Sequence, residues 1–162
     1  CGLAPVDEVT ATMTALAETT IGFALERLEE WLRAVHGEPR TASGQRQRLI
    51  VVGMGKLGGG DLNASSDVDL VFVYPEDGTT DGVRPLSCNE YFTRVGRKLI
   101  AALSENTEDG FVFRVDMRLR PYGESGPLVV SLDMLEQYFS AQGRPWERYA
   151  WVKARALSGD AA

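Results

Sequence analysis

Gly53-Met-Gly-Lys-Leu-Gly-Gly-Gly60-Asp-Leu-Asn-Ala-Ser-Ser66-Asp67-Val-Asp69-Leu70 is the stretch on which the reading of this chain turns. It follows an apolar run, Leu49 to Val52, and leads into a second, Val68 to Tyr74, which Pro75 ends. The glycines and the Asn63-Ala64-Ser65-Ser66 segment are poor material for helix or strand, so residues 53–66 read as a loop between two buried strands. Alternation along the second strand sends Asp67 and Asp69 to one face. Like charges placed so repel unless a cation lies between them, and oxygen-only ligation suits Mg²⁺. A divalent ion beside a loop rich in backbone N–H groups is equipment for handling phosphate.

Two better-known glycine loops do not fit. Gly53-x-Gly55-x-x-Gly58 after a strand matches the dinucleotide fingerprint, which needs a helix opening within the glycines and then a return strand. Here the next strand begins about a dozen residues on, across Gly59, Gly60, Asn63 and two serines, which leaves no room for a crossover helix. A Walker A loop would need glycine where Ile50 stands, and Ser or Thr where Leu57 follows Lys56.

Further along, Phe111, Phe113, Val115, Met117 and Leu119 alternate with Val112, Arg114, Asp116, Arg118 and Arg120, the period of a half-buried strand. Its second face is nearly all charge, and Asp116 can face the side of Asp67 and Asp69 if the strands are neighbours. Three carboxylates can hold two Mg²⁺ about 3.5–4 Å apart, and the third can also act as a base or orient the attacking oxygen. Arg118 and Arg120 then read as bidentate clamps for phosphate oxygens. The plain alternatives are solvated strand-entry aspartates and arginines that bridge to those same aspartates.

Around this centre, Met13, Leu16, Ile21, Ala24, Leu28, Leu32 and Val35 mark one long amphipathic helix from about Asp7 to His36, with the lone His36 placed to complement its C-terminal dipole. Residues 37–47 read as a connector and 75–85 as a surface loop. Ser87-Cys-Asn-Glu90 has capping-box spacing, and Tyr91, Val95, Leu99 and Leu103 then stripe a helix ending near Asn106. Residues 121–126 form a turn-rich loop, Leu128 to Val130 a short strand, Leu132 to Gln142 a helix, and Pro145 opens a last helix from Trp146 to about Leu157. Trp146, Tyr149 and Trp151 read as packing residues.

With 162 residues, 44% of them hydrophobic, and a net charge of −6, the chain has the composition of one soluble domain. Its acidity argues against a nucleic-acid partner, and no apolar stretch reaches membrane-spanning length. Cys1 and Cys88 alone, without metal-ligand spacing, fit a reducing cytoplasm. Beginning on Cys1 and stopping at Ala162, the chain reads as a piece of something longer.

The motif from Gly53 to Leu70, the stretch Phe113-Arg-Val-Asp116-Met-Arg-Leu-Arg-Pro-Tyr-Gly-Glu-Ser-Gly-Pro-Leu128, and Trp146-Glu-Arg-Tyr-Ala-Trp-Val-Lys-Ala-Arg155 together resemble the bifunctional glutamine synthetase adenylyltransferase/adenylyl-removing enzymes. The resemblance covers about Leu49 to Asp160. It implies an α+β fold of the polymerase-beta-like nucleotidyltransferase superfamily, a small mixed sheet flanked by helices, with residues 1–47 as long N-terminal helix and connector and 48–162 as the catalytic domain. It implies Asp67, Asp69 and Asp116 as catalytic residues and ligands of two Mg²⁺ ions, and Gly58, Gly59, Ser65, Ser66, Arg118 and Arg120 around an adenine nucleotide and inorganic phosphate. Glutamine synthetase is the implied partner, with the PII signalling protein acting on the full-length enzyme. Pro121-Tyr-Gly-Glu-Ser-Gly-Pro127 and Trp146-Glu-Arg-Tyr149 look like the adenylyl-removing half, which splits AMP from a tyrosine by phosphorolysis. The adenylylating half and an inactive regulatory nucleotide-binding domain are the alternatives.

Overall fold

A computed structural model describes residues 4–158; residues 1–3 and 159–162 lie outside the described part. The chain opens on the expected long helix, α1 (Val6–His36). Its buried row is Thr14, Ala17, Ile21, Leu25, Glu29 and Leu32, whereas Leu16 and Val35, expected inside, are about half exposed. Adjacent three-four rows on a helix overlap, and here the choice is made by polar partners. Thr14 Oγ1 accepts from Leu62 N at 3.2 Å. Glu29 accepts from Arg48 and from Leu49 N at 3.1 Å. His36 meets Arg84 O through Nδ1 and Arg94 through Nε2, a bonding pattern in which Nε2 accepts and Nδ1 donates.

The expected connector holds a strand, β1 (Pro39–Thr41), and β2 (Ile50–Gly53) follows. The expected glycine loop contains a one-turn helix, α2 (Gly55–Gly59), stopped by Gly60 at φ 79°. β3 (Val68–Tyr74) then returns antiparallel to β2, with Gly53 opposite Leu70. Antiparallel return excludes a dinucleotide βαβ unit even though a helix does open within the glycines. Inside the expected surface loop, β4 (Gly78–Thr80) pairs with β1. Strands of three residues without apolar alternation carry no periodic signal, which is why both escape a sequence reading.

Next comes α3 (Cys88–Ser104), with Ser87 as N-cap accepting from Glu90 N at 3.1 Å and Tyr91, Val95, Leu99 and Leu103 all buried as expected. The strand expected over 111–120 shrinks to β5 (Val115–Asp116). Phe111 and Val112 are about half exposed, while Phe113 and Met117 are buried. The ladder stops because Asp116 Oδ1 accepts the Arg118 N–H at 2.8 Å, turning the chain. β6 (Val129–Ser131) and α4 (Leu132–Ala141) fall where expected. The last helix does not run to Leu157: α5 (Pro145–Ala150) gives way to a 3-10 turn and to β7 (Arg155–Ser158), which pairs with the free edge of β2.

The main sheet therefore runs β7-β2-β3, with β5 and β6 sharing the outer edge of β3, both parallel to it. Val68, Leu70, Phe72 and Tyr74 face the larger core beneath α1 and α3. Val71 and Val73 face a smaller one with Val52, Met54 and Val130. β3 is buried along its whole length except at Asp69.

Candidate active site

Asp69 stands opposite Asp116 in the β3–β5 ladder, so both side chains leave the same face, and Asp67 precedes Asp69 by one pleat. Asp116 is thus on the side of the other two, not beyond the sheet. Where β5 ends and the loop to β6 begins, Asp67 and Asp116 line a cavity of ≈ 360 Å³ together with Arg118, Arg120 and Glu124 among others, and Asp69 stands beside Asp116 in the ladder.

Their environments differ. Asp67 pairs with Arg114 Nε at 2.7 Å, and Arg114 also donates to Ser65 O at 3.0 Å. Asp116 is chelated by the Arg118 guanidinium, with Nε at 2.8 Å from Oδ2, and this pairing, despite some burial, holds its carboxyl below the usual range. The Asp69 carboxylate, unlike its backbone carbonyl, has neither a hydrogen-bond partner nor an ion pair among the described residues. Burial pushes its carboxyl up, and the charges of Asp116 and Asp67 push it further, against weaker help from Arg118 and Lys56. Among the described residues no three acidic, His or Cys side chains are drawn together tightly enough to grip an ion, since two of these carboxylates are turned to arginines. The donor set fits Mg²⁺ chemically: it is all oxygen, and the half-buried Asp69 carboxylate is not paired with any cation, the pull of Arg118 and Lys56 being outweighed by burial and by Asp116 and Asp67.

The other expected residues divide. Lys56 Nζ reaches Ser66 Oγ at 3.2 Å, and Ser66 donates to Asn63, so the serine segment is tied to the glycine turn. A Cβ at Gly55 would come within 2.8 Å of Asp69 Oδ2, which puts this turn directly over the carboxylate. Gly58 faces away: a Cβ there would lie 2.0 Å from Lys153 O, and Gly59 likewise faces the Lys153 side chain. Arg120 bonds Met117 O at 2.9 Å and Glu124 O at 3.0 Å, holding the 117–124 loop in shape. Arg155 donates to Gly58 O at 3.2 Å and pairs with Glu18, so it joins β7 to α2 and α1. Lys153 lies 3.5 Å from Asp61.

Arg114 and Lys56 were not singled out by sequence reasoning. Period-two alternation does place Arg114 on the face of Asp116, and Lys56 is the one cation in the glycine turn, so both signals were present. Of the aromatic trio, Trp151 packs edge-on to Phe139 at 5.4 Å. Trp146 and Tyr149, expected as packing residues, are instead 54% and 80% exposed.

A profile of the family described as glutamate-ammonia ligase adenylyltransferase matches residues 1–162, the whole chain. The chain belongs to this family. It is 63% identical over 159 residues to a protein of Burkholderia mallei, 60% identical over 161 residues to one of Nitrosomonas eutropha and 53% identical over 161 residues to one of Xanthomonas campestris. Each of those is named bifunctional glutamine synthetase adenylyltransferase/adenylyl-removing enzyme. The matches cover 97%, 98% and 99% of this chain but 17% of each relative, so the chain spans about a sixth of their length. Among the described residues no helix is long and apolar enough to cross a membrane.

Proposed function

We propose that residues 48–162 form a Mg²⁺-dependent nucleotidyltransferase domain that removes AMP from a tyrosine of glutamine synthetase. The observation that carries this reading is the register of Asp69 against Asp116 beneath the glycine turn, with the Asp69 carboxylate left without an ion pair. That is the carboxylate arrangement expected of a polymerase-beta-like site, and family membership supports it. Asp67, Asp69 and Asp116 would hold the metal, which when bound offsets charge on the phosphoryl group.

The chain's own residues then have separable tasks. Arg114 and Arg118 release the carboxylates, and the freed Arg118 guanidinium binds phosphate oxygens bidentately. Lys56, already within reach of Ser66, adds positive charge on the glycine side. In the reaction an oxygen of inorganic phosphate attacks the adenylyl phosphorus, the P–O bond to tyrosine breaks, and ADP and the free tyrosine leave. The Pro121 to Pro127 and Trp146 to Tyr149 motifs favour removal over addition. PII would act on the longer protein, in the cytoplasm.

The test is incubation of the chain with adenylylated glutamine synthetase and Mg²⁺. ADP that appears only when inorganic phosphate is added is the expected result. ATP-dependent labelling of unmodified glutamine synthetase without phosphorolysis would contradict it.

A further inference from the structure

A second cleft, of ≈ 330 Å³, lies on the far flank of the 117–126 loop, bounded by Tyr122, Tyr138, Gln142 and Trp146 among others. Arg118 stands in its wall and in the wall of the carboxylate cavity alike. The two spaces are therefore neighbours across one side chain. The volume is at the lower end of small-molecule sites, and rings with a few polar groups are the usual lining of such sites.

Three features mark the cleft as built for a ligand. Tyr122 is held at φ 62° and ψ 12°, and among the described residues it is the one side-chain-bearing residue with positive φ. Such strain gathers at ligand clamps, and here it sets the Tyr122 ring edge-on to Tyr138, with centroids 4.6 Å apart. The acid in the wall is already satisfied, because Glu147 accepts from the Tyr138 hydroxyl at 2.5 Å and from Arg144 N at 2.8 Å. Trp146 and Gln142, by contrast, line the cleft with a half-exposed indole and a side-chain carboxamide that has no hydrogen-bond partner among the described residues.

We propose that this cleft is a base pocket that takes the adenine ring of a nucleotide whose phosphates lie at the carboxylates. The inference rests on the nucleotidyltransferase reading above and adds to it the residues that choose the base. A nucleotide anchored by Arg118 has its nucleoside as the part that must extend beyond that side chain, and the rings lie there. Stacking on aromatic faces accepts any base. The carboxamide of Gln142 offers an acceptor and a donor side by side, which complements N6 and N7 of adenine but meets two acceptors on guanine.

Calorimetric titration of ADP, GDP and pyrophosphate, each with Mg²⁺, into the 162-residue chain and its Trp146→Ala and Gln142→Ala variants tests this. The wild type should bind ADP more tightly than GDP or pyrophosphate. Trp146→Ala should weaken ADP roughly ten-fold or more, as loss of a base–aromatic stack does, and leave pyrophosphate binding unchanged. Gln142→Ala should erase the preference for ADP over GDP. Both positions are exposed, so thermal unfolding should not change. ADP affinity unaltered in both variants would overturn the pocket, as it would if the phenol ring of the modified tyrosine were the occupant. Wild-type binding of pyrophosphate as tight as that of ADP overturns the pocket alone, whereas no binding of any of the three removes the nucleotidyl reading along with it.

Discussion

At Asp69, burial and like charge act in the same direction. Its folded carboxyl titrates above the ordinary 3.8, so the protonated form favours the fold. The fold is penalised as pH rises from 3.8 through the raised value, and at neutral pH the penalty is complete. Asp69→Asn should therefore raise the melting temperature of the metal-free protein at pH 7, with the gain fading below pH 4. The same variant should lose the upward shift that Mg²⁺ gives the wild type, and both effects can be read by differential scanning fluorimetry. The aspartates were legible because strand alternation fixes their face before anything else is known. The partners of the arginines were not, since an arginine two residues from Asp116 on one face reaches a phosphate or its own neighbour equally well. Gly58 shows a further limit. Its need for a bare Cα comes from the Lys153 carbonyl, on a segment that sequence reasoning assigned to a helix.

Among the elements, α1 is tied to β2 by an acid rather than by apolar contact alone. Glu29 is 4% exposed and accepts from Arg48 Nε and Nη2 at 3.0 and 2.9 Å as well as from Leu49 N. Glu29→Ala strands that buried N–H and removes the carboxylate that Arg48 grips. It should cost about 1–3 kcal/mol in urea unfolding, with Glu29→Gln recovering part of the loss. The long helices were readable from three-four spacing and, for α3, from the cap at Ser87. β1, β4 and β5 were too short to show a period. β7 illustrates tertiary override: Arg155 to Ser158 continues a helical pattern in sequence, yet the open edge of β2 offers backbone partners that a helix end cannot match.

For the molecule as a whole, the arrangement of β3 decides where chemistry can occur. Both of its faces are buried, one beneath α1 and α3 and the other in the smaller core, leaving Asp69 as its one solvent-reaching position. The outer edge of β3 passes from β5 to β6, and the loop between them carries Arg118 and Arg120 to the carboxylates and forms one wall of the neighbouring cleft. The mixed α+β architecture was expected from the family resemblance, and the elements found fit it. The shared edge was not, because a single alternating run from Phe111 to Arg120 gives no sign that it must turn at Asp116 to accept the Arg118 N–H. The central claim is that these three acids close on a divalent cation, and anomalous diffraction from crystals of the chain grown with Mn²⁺ and ADP tests it most directly. The account predicts a manganese peak bounded by Asp67, Asp69 and Asp116, with Arg114 and Arg118 turned away from them. Crystals with ADP bound, no peak at that position and both arginine pairs intact would contradict it.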